Sequence, residues 1–334
     1  MISDRIKSNL SQEFRQSLLA KLGLVILLII LVMALFAPVL ATHNPNTTGH
    51  FDDSGNSYPP VGVSYESHQW EDGERVTYTA EYSTEHLLGT NNVGQDVFSR
   101  LLYGARTSLM VGILGTGLAV IIGVPFGLIS GYYGGRIDDA MMRVADVMLA
   151  FPSLVLALAL IGVFGSLAIP VPDPLVMAGF GDGMPESTIL PGTVTIVVGL
   201  VTWVWFARVA RGEAMSIRNE EYVKAARSLG ASNRKILLKH VLPNSLTPVI
   251  VLATIQVAAV ILLESSLSYL GFSGTTLSWG YEIQQGQDYL RTAWWVSTVP
   301  GIGIVLAVVS INLLGDWFRD SLDPNIEGEG GGAG

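Results

Sequence analysis

The chain has 334 residues, 49% hydrophobic and only 14% charged, with a net charge of -9 and a mean hydropathy of +0.45. That balance is too apolar for an ordinary water-soluble domain and implies an integral membrane protein. Zero cysteines exclude disulfides and thiolate metal sites, and the lack of any Gly-Lys dipeptide excludes a phosphate loop of the G-x-x-x-x-G-K-S/T type.

About 20 apolar residues cross the hydrocarbon core, and a charge at its centre costs several kcal/mol. Charge-free windows therefore predict six transmembrane helices in an all-α membrane fold. A basic segment, residues 1–21, precedes the first span, Leu22 to Ala41. Its apolar run exceeds the about 7 to 15 residues of a signal peptide and no small-x-small cleavage site follows, so a retained span is expected.

Residues 42–105 form a long outer loop, with nine acidic residues and one basic residue between Thr42 and Ser99. Its Gly, Pro, Asn and Tyr content predicts a small irregular or β-containing subdomain. A solvated acidic face is the plain reading; a high-salt habitat or a basic docking partner is the sharper one. His43, His50, His68 and His86 lie here at spacings of 7, 18 and 18. No compact ligand motif has those spacings, so solvated loop histidines and no metal site are expected.

The five-helix core is expected over 106–318, followed by a tail at 319–334. Its first span, Thr107 to about Gly131, is glycine-rich. Gly123, Gly127 and Gly131 form a small-xxx-small series on one helix face, suited to close helix packing, with a pore-lining or moving face as the alternative. The remaining windows are Val147 to about Ser166, Ser187 to Ala207, about Ser245 to Leu270, and about Trp295 to Gly315. Pro125 and Pro152 are expected to kink the second and third spans.

Glu264 is the one ionisable side chain interrupting a predicted span. Near that span's outer end it reads as an interfacial or interhelix hydrogen-bonded carboxylate, or as a gate. A proton- or sodium-driven carrier would bury more charge near the midplane. No span clusters His, Asp or Glu at metal-ligand or catalytic spacing, which argues against a membrane enzyme.

Fifteen of the nineteen Lys and Arg residues fall on the side that holds both termini and the 208–243 loop. Only Arg75, Arg100, Arg106 and Arg291 fall on the other. The positive-inside rule then places both termini and that loop in the cytoplasm of a multi-pass cell-membrane protein.

Between the fourth and fifth spans, the loop at 212–243 contains the stretch EEYVKAARSLGASNRKILLKHVLP from Glu220 to Pro243. Tyr222, Ala225, Ala226 and Leu229 recur at i, i+3, i+4 and i+7, a narrow apolar stripe with small side chains that fits a groove on another protein. Gly230 is placed to end this helix in a left-handed cap, and Ser232 or Asn233 to cap the next. That second helix, with Arg234, Lys235 and Lys239 among apolar residues, is expected to lie along the membrane surface until Pro243 stops it.

The stretch resembles the EAA loop of permease subunits of binding-protein-dependent ABC importers. The family pattern is Glu-Ala-Ala, three residues, Gly, nine residues, then Ile-x-Leu-Pro. Lys224, Ala225, Ala226, Gly230, Leu242 and Pro243 fall on that register. Lys224 replaces the glutamate, which bears only on a local polar contact to the ATPase. His240 replaces the isoleucine, a variant similar to that of the dipeptide/oligopeptide/nickel branch. HLLGTNNVGQDVFSRLLYGARTSL at 86–109, SGYYGGRIDDAMMRVADVMLAFPSL at 130–154, ESSLSYLGF at 264–272, SWG at 278–280 and NLLGDWFRDSLDP at 312–324 resemble the C-type subunit of that branch, in order along the chain.

This resemblance implies a type I importer permease, a half-channel that pairs with a related B-type subunit as a heterodimer. An external solute-binding protein would deliver di- or oligopeptides, with nickel or a glycoside as alternative cargo. Two ABC ATPase subunits would bind ATP and Mg, leaving this chain without cofactor, catalytic residue or nucleic-acid partner. Glu221, Tyr222, Ala225, Ala226, Leu229, Gly230 and Pro243 would form its ATPase-coupling surface.

Overall fold

In lipid every backbone polar group must bond internally, so long apolar runs fold as helices. In the computed structural model, which describes residues 14–71, 74–274 and 276–322, five helices are long and apolar enough to cross a membrane, and a bent pair supplies a sixth apolar element. These are α1 (Leu18–Leu35), α2 (Val97–Tyr133), the bent pair α3 (Gly135–Leu149) and α4 (Ser153–Phe164), and α5 (Gly192–Ile217). After the short helix α6 (Glu221–Ser228) come α7 (Leu242–Tyr269), the short α8 (Trp279–Gly286) and α9 (Trp295–Leu322).

Among the described residues the strands form two antiparallel pairs, β1 (Tyr65–Glu71) with β2 (Glu74–Ala80), and β3 (Ala168–Pro172) with β4 (Ser187–Pro191). β1 and β2 supply the expected β structure of the long acidic loop. That loop marks the acidic end of the bundle; the 208–243 segment marks the basic end.

Helix bounds differ from the charge-free windows for a consistent reason. α2 begins at Val97, not Thr107, because Asp96 caps it by accepting from the Ser99 N–H. Two arginines in its first turns are neutralised by distant residues: Arg100 by Glu282 and Arg106 by Asp173. The outer loop therefore ends at Asp96 instead of residue 105. At the other end α5 runs past Ala207 to Ile217, with Arg208 paired to Asp146 and Arg211 to Asp138.

α5 starts at Gly192, because Ser187–Pro191, expected within the span, forms β4. α1 ends at Leu35, and a short helix with a proline in its first turn, Ala37–Leu40, follows.

The third window requires a larger correction. Pro152 does not kink a continuous span; it sits at a break where α3 and α4 meet at 91°. α3 carries Arg136, Asp138, Asp139, Arg143 and Asp146, and α4 has 12 residues, about 18 Å of helix against a core of about 30 Å. Pro125, by contrast, lies within the continuous α2.

α2 is the mast of the fold, 37 residues or about 55 Å long. Its glycine series lies against α5. A methyl group at Gly123 would sit 2.8 Å from Phe206 Cβ, one at Gly127 2.9 Å from Ala210 Cβ, and one at Gly131 2.9 Å from Ala214 Cβ. Ordinary carbon contacts are about 3.5–4.0 Å, so only glycine lets these backbones approach so closely. Buried Tyr132, Phe206, Val223, Ile236 and Val241 join the basic ends of α2 and α5 to the loop beyond them.

Candidate functional site

The 220–243 segment is built on two caps. Glu220 is extended at the start of α6, and Gly230, at φ +81°, ends it in the left-handed region. The Gly230 N–H donates to the Arg227 carbonyl and the Ala231 N–H to the Ala226 carbonyl, both at 3.0 Å. This paired pattern closes the last turn and needs a residue that tolerates positive φ. Ser232 caps the following turn, accepting from the Lys235 N–H at 3.4 Å.

α6 has one buried and one open face. Val223 is fully buried in the cluster with Tyr132, Ile236 and Val241. Tyr222, Ala225 and Leu229 are exposed, Leu229 at 89%, and Ala226 is half-buried. The sequence stripe therefore faces outward, while Val223, which the stripe did not include, holds the helix to the bundle. Glu221 is exposed and pairs with Lys224 at 2.9 Å.

Polar contacts tie this segment to the mast. Tyr132 donates to Asn233 Oδ1 at 2.8 Å, and the Arg227 guanidinium donates to the Tyr132 hydroxyl at 3.3 Å while lying 5.6 Å from its ring centroid. Arg218 donates to the Gly131 carbonyl at 2.9 Å. Arg211 makes two 2.6 Å bonds to Asp138, which also accepts from Ser130. α2, α3, α5 and α6 are thus cross-linked at the basic end.

Pro243 does not stop a surface helix as expected. Asn233–Ile236 passes through a π-turn, Leu237–Val241, directly into α7, and Pro243 lies exposed in the first turn of α7. The wide turn accommodates a ring that lacks an N–H and would clash with the i−4 carbonyl of an unbroken α-helix. Asn244 Nδ2 donates to the His240 carbonyl at 2.6 Å.

A second constellation locks the acidic half. Glu264 is fully buried and accepts from Ser108 at 3.1 Å, Ser265 at 3.3 Å and Ser268 at 2.6 Å. The Trp279 N–H donates to the Ser108 hydroxyl at 3.4 Å, and its indole N–H to the Leu101 carbonyl at 3.1 Å. A methyl on Gly280 would lie 2.6 Å from Ser265 Cα. The carboxylate therefore sits at the junction of α2, α7 and α8.

Two ion pairs here, one buried and one part-buried, were not singled out from sequence. Arg100 donates to both Glu282 oxygens, at 2.8 and 2.6 Å, and to the Pro45 carbonyl at 2.8 Å. Arg106 pairs with Asp173 and donates to the Ala34 and Leu35 carbonyls. Positions 100, 173 and 282 are too far apart in sequence for spacing to reveal them.

Residues 123–328 match the family model described as "Binding-protein-dependent transport system inner membrane component", which spans more than half of the chain and takes in α5 through α9 with the capped loop. The chain belongs to this permease family. Residues 11–60 of the permease also match the N-terminal transmembrane domain of oligopeptide transport permease C.

Relatives include the dipeptide transport system permease protein DppC of Alkalihalophilus pseudofirmus, 32% identical over 318 residues, covering 95% of this chain and 89% of that one. The oligopeptide transport system permease protein OppC of Bacillus subtilis is 32% identical over 316 residues, with 94% and 88% covered. A putative peptide transport system permease protein of Brucella suis is 34% identical over 313 residues, with 93% and 89% covered. Among solved structures, an inward-facing form of the MetNI methionine ABC transporter aligns with TM-score 0.51 at 17% identity, covering 67% of this chain and 97% of that one. That likeness establishes the fold of a type I importer permease.

Proposed function

We propose that the permease is one half of the membrane channel of an ATP-driven importer of di- or oligopeptides. The observation that carries this reading is α6: an apolar stripe of exposed Tyr222, Ala225 and Leu229 with half-buried Ala226, held by buried Val223 and by the Tyr132, Arg227 and Asn233 contacts. A stripe left open yet fixed to α2 and to the 233–241 turn suits a groove on an ATPase and transmits its movement to the bundle. The printed names of relatives as dipeptide and oligopeptide permeases support the cargo class.

In this account two ABC ATPases bind ATP and Mg, a related B-type permease completes the channel as a heterodimer, and an external solute-binding protein delivers the peptide. The basic end and both termini face the cytoplasm of the cell membrane, and the acidic end faces outward. Gly123, Gly127 and Gly131 serve helix packing, while Glu264 anchors the outer junction.

Reconstitution with the partner subunits in proteoliposomes tests the reading. Peptide uptake should require ATP and persist with ionophores. Uptake that collapses with ionophores and ignores ATP would contradict it.

A further inference from the structure

Three of the four outer histidines, separated by 7 and 36 residues, converge at the acidic end of α2. Ring centroids lie 4.5 Å apart for His43 and His86, 4.9 Å for His50 and His86, and 5.3 Å for His43 and His50. The buried Asp96 carboxylate lies among them, with Oδ1 2.9 Å from His86 Nδ1 and 3.9 Å from His43 Nδ1. His68, the fourth, is exposed on β1 and bonded to Thr77. The expectation of solvated loop histidines thus fails for His86, which is 2% exposed.

We propose that His43, His50, His86 and Asp96 form a binding site for a divalent transition-metal ion of the zinc class. The separations lie near those of a tetrahedral site, in donor atoms for His43, His86 and Asp96 and in ring centroids for His50. Metal–ligand bonds of about 2.0–2.1 Å place neighbouring donor atoms about 3.3 Å apart and imidazole centroids about 5 Å apart. The two His–Asp distances bracket the first value, and the three ring separations bracket the second.

The candidate donor atoms of His43, His86 and Asp96 already lie within 4.8 Å of one another. His43 is partly exposed, and side-chain rotation that exchanges its 3.1 Å contact with Thr42 Oγ1 for the ion would close the longer gap. His50 supplies the independent observation: its Nε2 is shut off from solvent and has no hydrogen-bond partner. A buried polar atom left unpaired costs free energy unless a ligand takes it.

The donor chemistry selects the ion. Three imidazoles and one carboxylate suit zinc, nickel or copper, whereas calcium and magnesium require oxygen ligands. Ligands must also be deprotonated near neutral pH. The 2.9 Å contact between His86 Nδ1 and Asp96 Oδ1 is a hydrogen bond, and its proton would be displaced when the ion binds.

Asp96 is braced for the task. Its other oxygen accepts from the Ser99 N–H at 2.8 Å, the Ser99 hydroxyl at 2.6 Å and Thr42 at 3.2 Å. Such contacts orient a metal-bound carboxylate. A bound ion would clamp the segments carrying His43, His50 and His86 to the start of α2, fixing the acidic loop on the bundle. This role is independent of the transported cargo and of the docking of α6.

The test uses the purified full-length permease in nanodiscs, stripped with EDTA, reloaded with zinc and desalted. Elemental analysis should find one zinc per chain, and cobalt should give the intense visible absorption of a tetrahedral site. His43→Ala and His86→Ala should each lower zinc affinity by at least about 100-fold, the upper end of losses typical for outer-shell partners, and His50→Ala by about tenfold or more. His68→Ala should bind as wild type. Zinc should raise the unfolding temperature of wild type but not of His43→Ala.

Should buried His86→Ala fail to fold, the partly exposed His43→Ala carries the test, with a monodisperse elution profile as its folding check. Wild type that retains no zinc, or His43→Ala and His50→Ala variants that bind like wild type, would leave only a hydrogen-bonded histidine cluster and overturn the site.

Discussion

Gly127→Ala is the sharpest structural perturbation available. The added methyl would lie 2.8 Å from the Ala207 carbonyl carbon and 2.9 Å from Ala210 Cβ. Ordinary carbon contacts of about 3.5–4.0 Å require α2 and α5 to part locally by about 1 Å. Overpacking of this kind costs about 1–3 kcal/mol, and a gap opened along the flanking turns forfeits further dispersion energy.

Gly117→Ala is the matched control. It lies on the same helix, and nothing approaches its added methyl within 4 Å. There the higher helix propensity of Ala should stabilise by about 0.5–1 kcal/mol in the folded helix. At about 2–4 °C per kcal/mol, Gly127→Ala should unfold about 2–12 °C below wild type, and Gly117→Ala at or slightly above it. Intrinsic tryptophan fluorescence during heating reads both, with Trp203 in the cluster beside this interface. Equal unfolding temperatures for the two variants would refute the close-packing account.

Ala226→Arg and Gly230→Trp should each leave the permease inserted but abolish coupled uptake, because they put charge or bulk on the open face of α6; uptake and ATPase association in the complex check this. Lys224→Glu should be mild, since the exposed Lys224–Glu221 pair is worth at most about 0.5 kcal/mol. Removing one partner of the buried Arg100–Glu282 pair, as in Glu282→Gln, should destabilise by about 3–5 kcal/mol, with Arg100→Met and Glu282→Met together recovering part of the loss in thermal unfolding. Glu264→Gln keeps an acceptor of the same size and should preserve uptake, whereas Glu264→Ala takes away the acceptor of the Ser108 and Ser268 hydroxyls and should cost about 1–3 kcal/mol; lost uptake in a stable Glu264→Gln variant would point to a titrating gate instead.

The apolar centres of the helices were legible because lipid imposes a length and forbids unpaired charge. Their ends were not. Arg100, Arg106, Arg208 and Arg211 look like boundaries in a hydropathy window, yet each is neutralised by a carboxylate remote in sequence. Pro152 signalled a deformation, but whether it kinks or breaks a span depends on what surrounds it; the charged face of α3 decides for a break.

The cap at Gly230 was legible because only glycine readily accepts its φ of +81°. The apolar stripe of α6 was legible from its period. Val223 was missed because periodicity ranks faces by composition, and here the more apolar-looking stripe is the exposed one. The convergence of His43, His50 and His86 follows from the return of the outer loop upon itself, which spacing along the chain does not encode.

Docking of α6 on an ATPase is the central functional claim, and the chain's lack of cysteine makes it directly measurable. Leu229→Cys places a single thiol on the open face, and Val61→Cys, also exposed, places one at the acidic end. Maleimide labelling of each should be compared in the permease alone and in the assembled complex. The account predicts that assembly shields Leu229→Cys, leaves Val61→Cys reactive, and allows a short cross-linker to join position 229 to the ATPase. Full reactivity of Leu229→Cys within a complex that still transports peptide would contradict it.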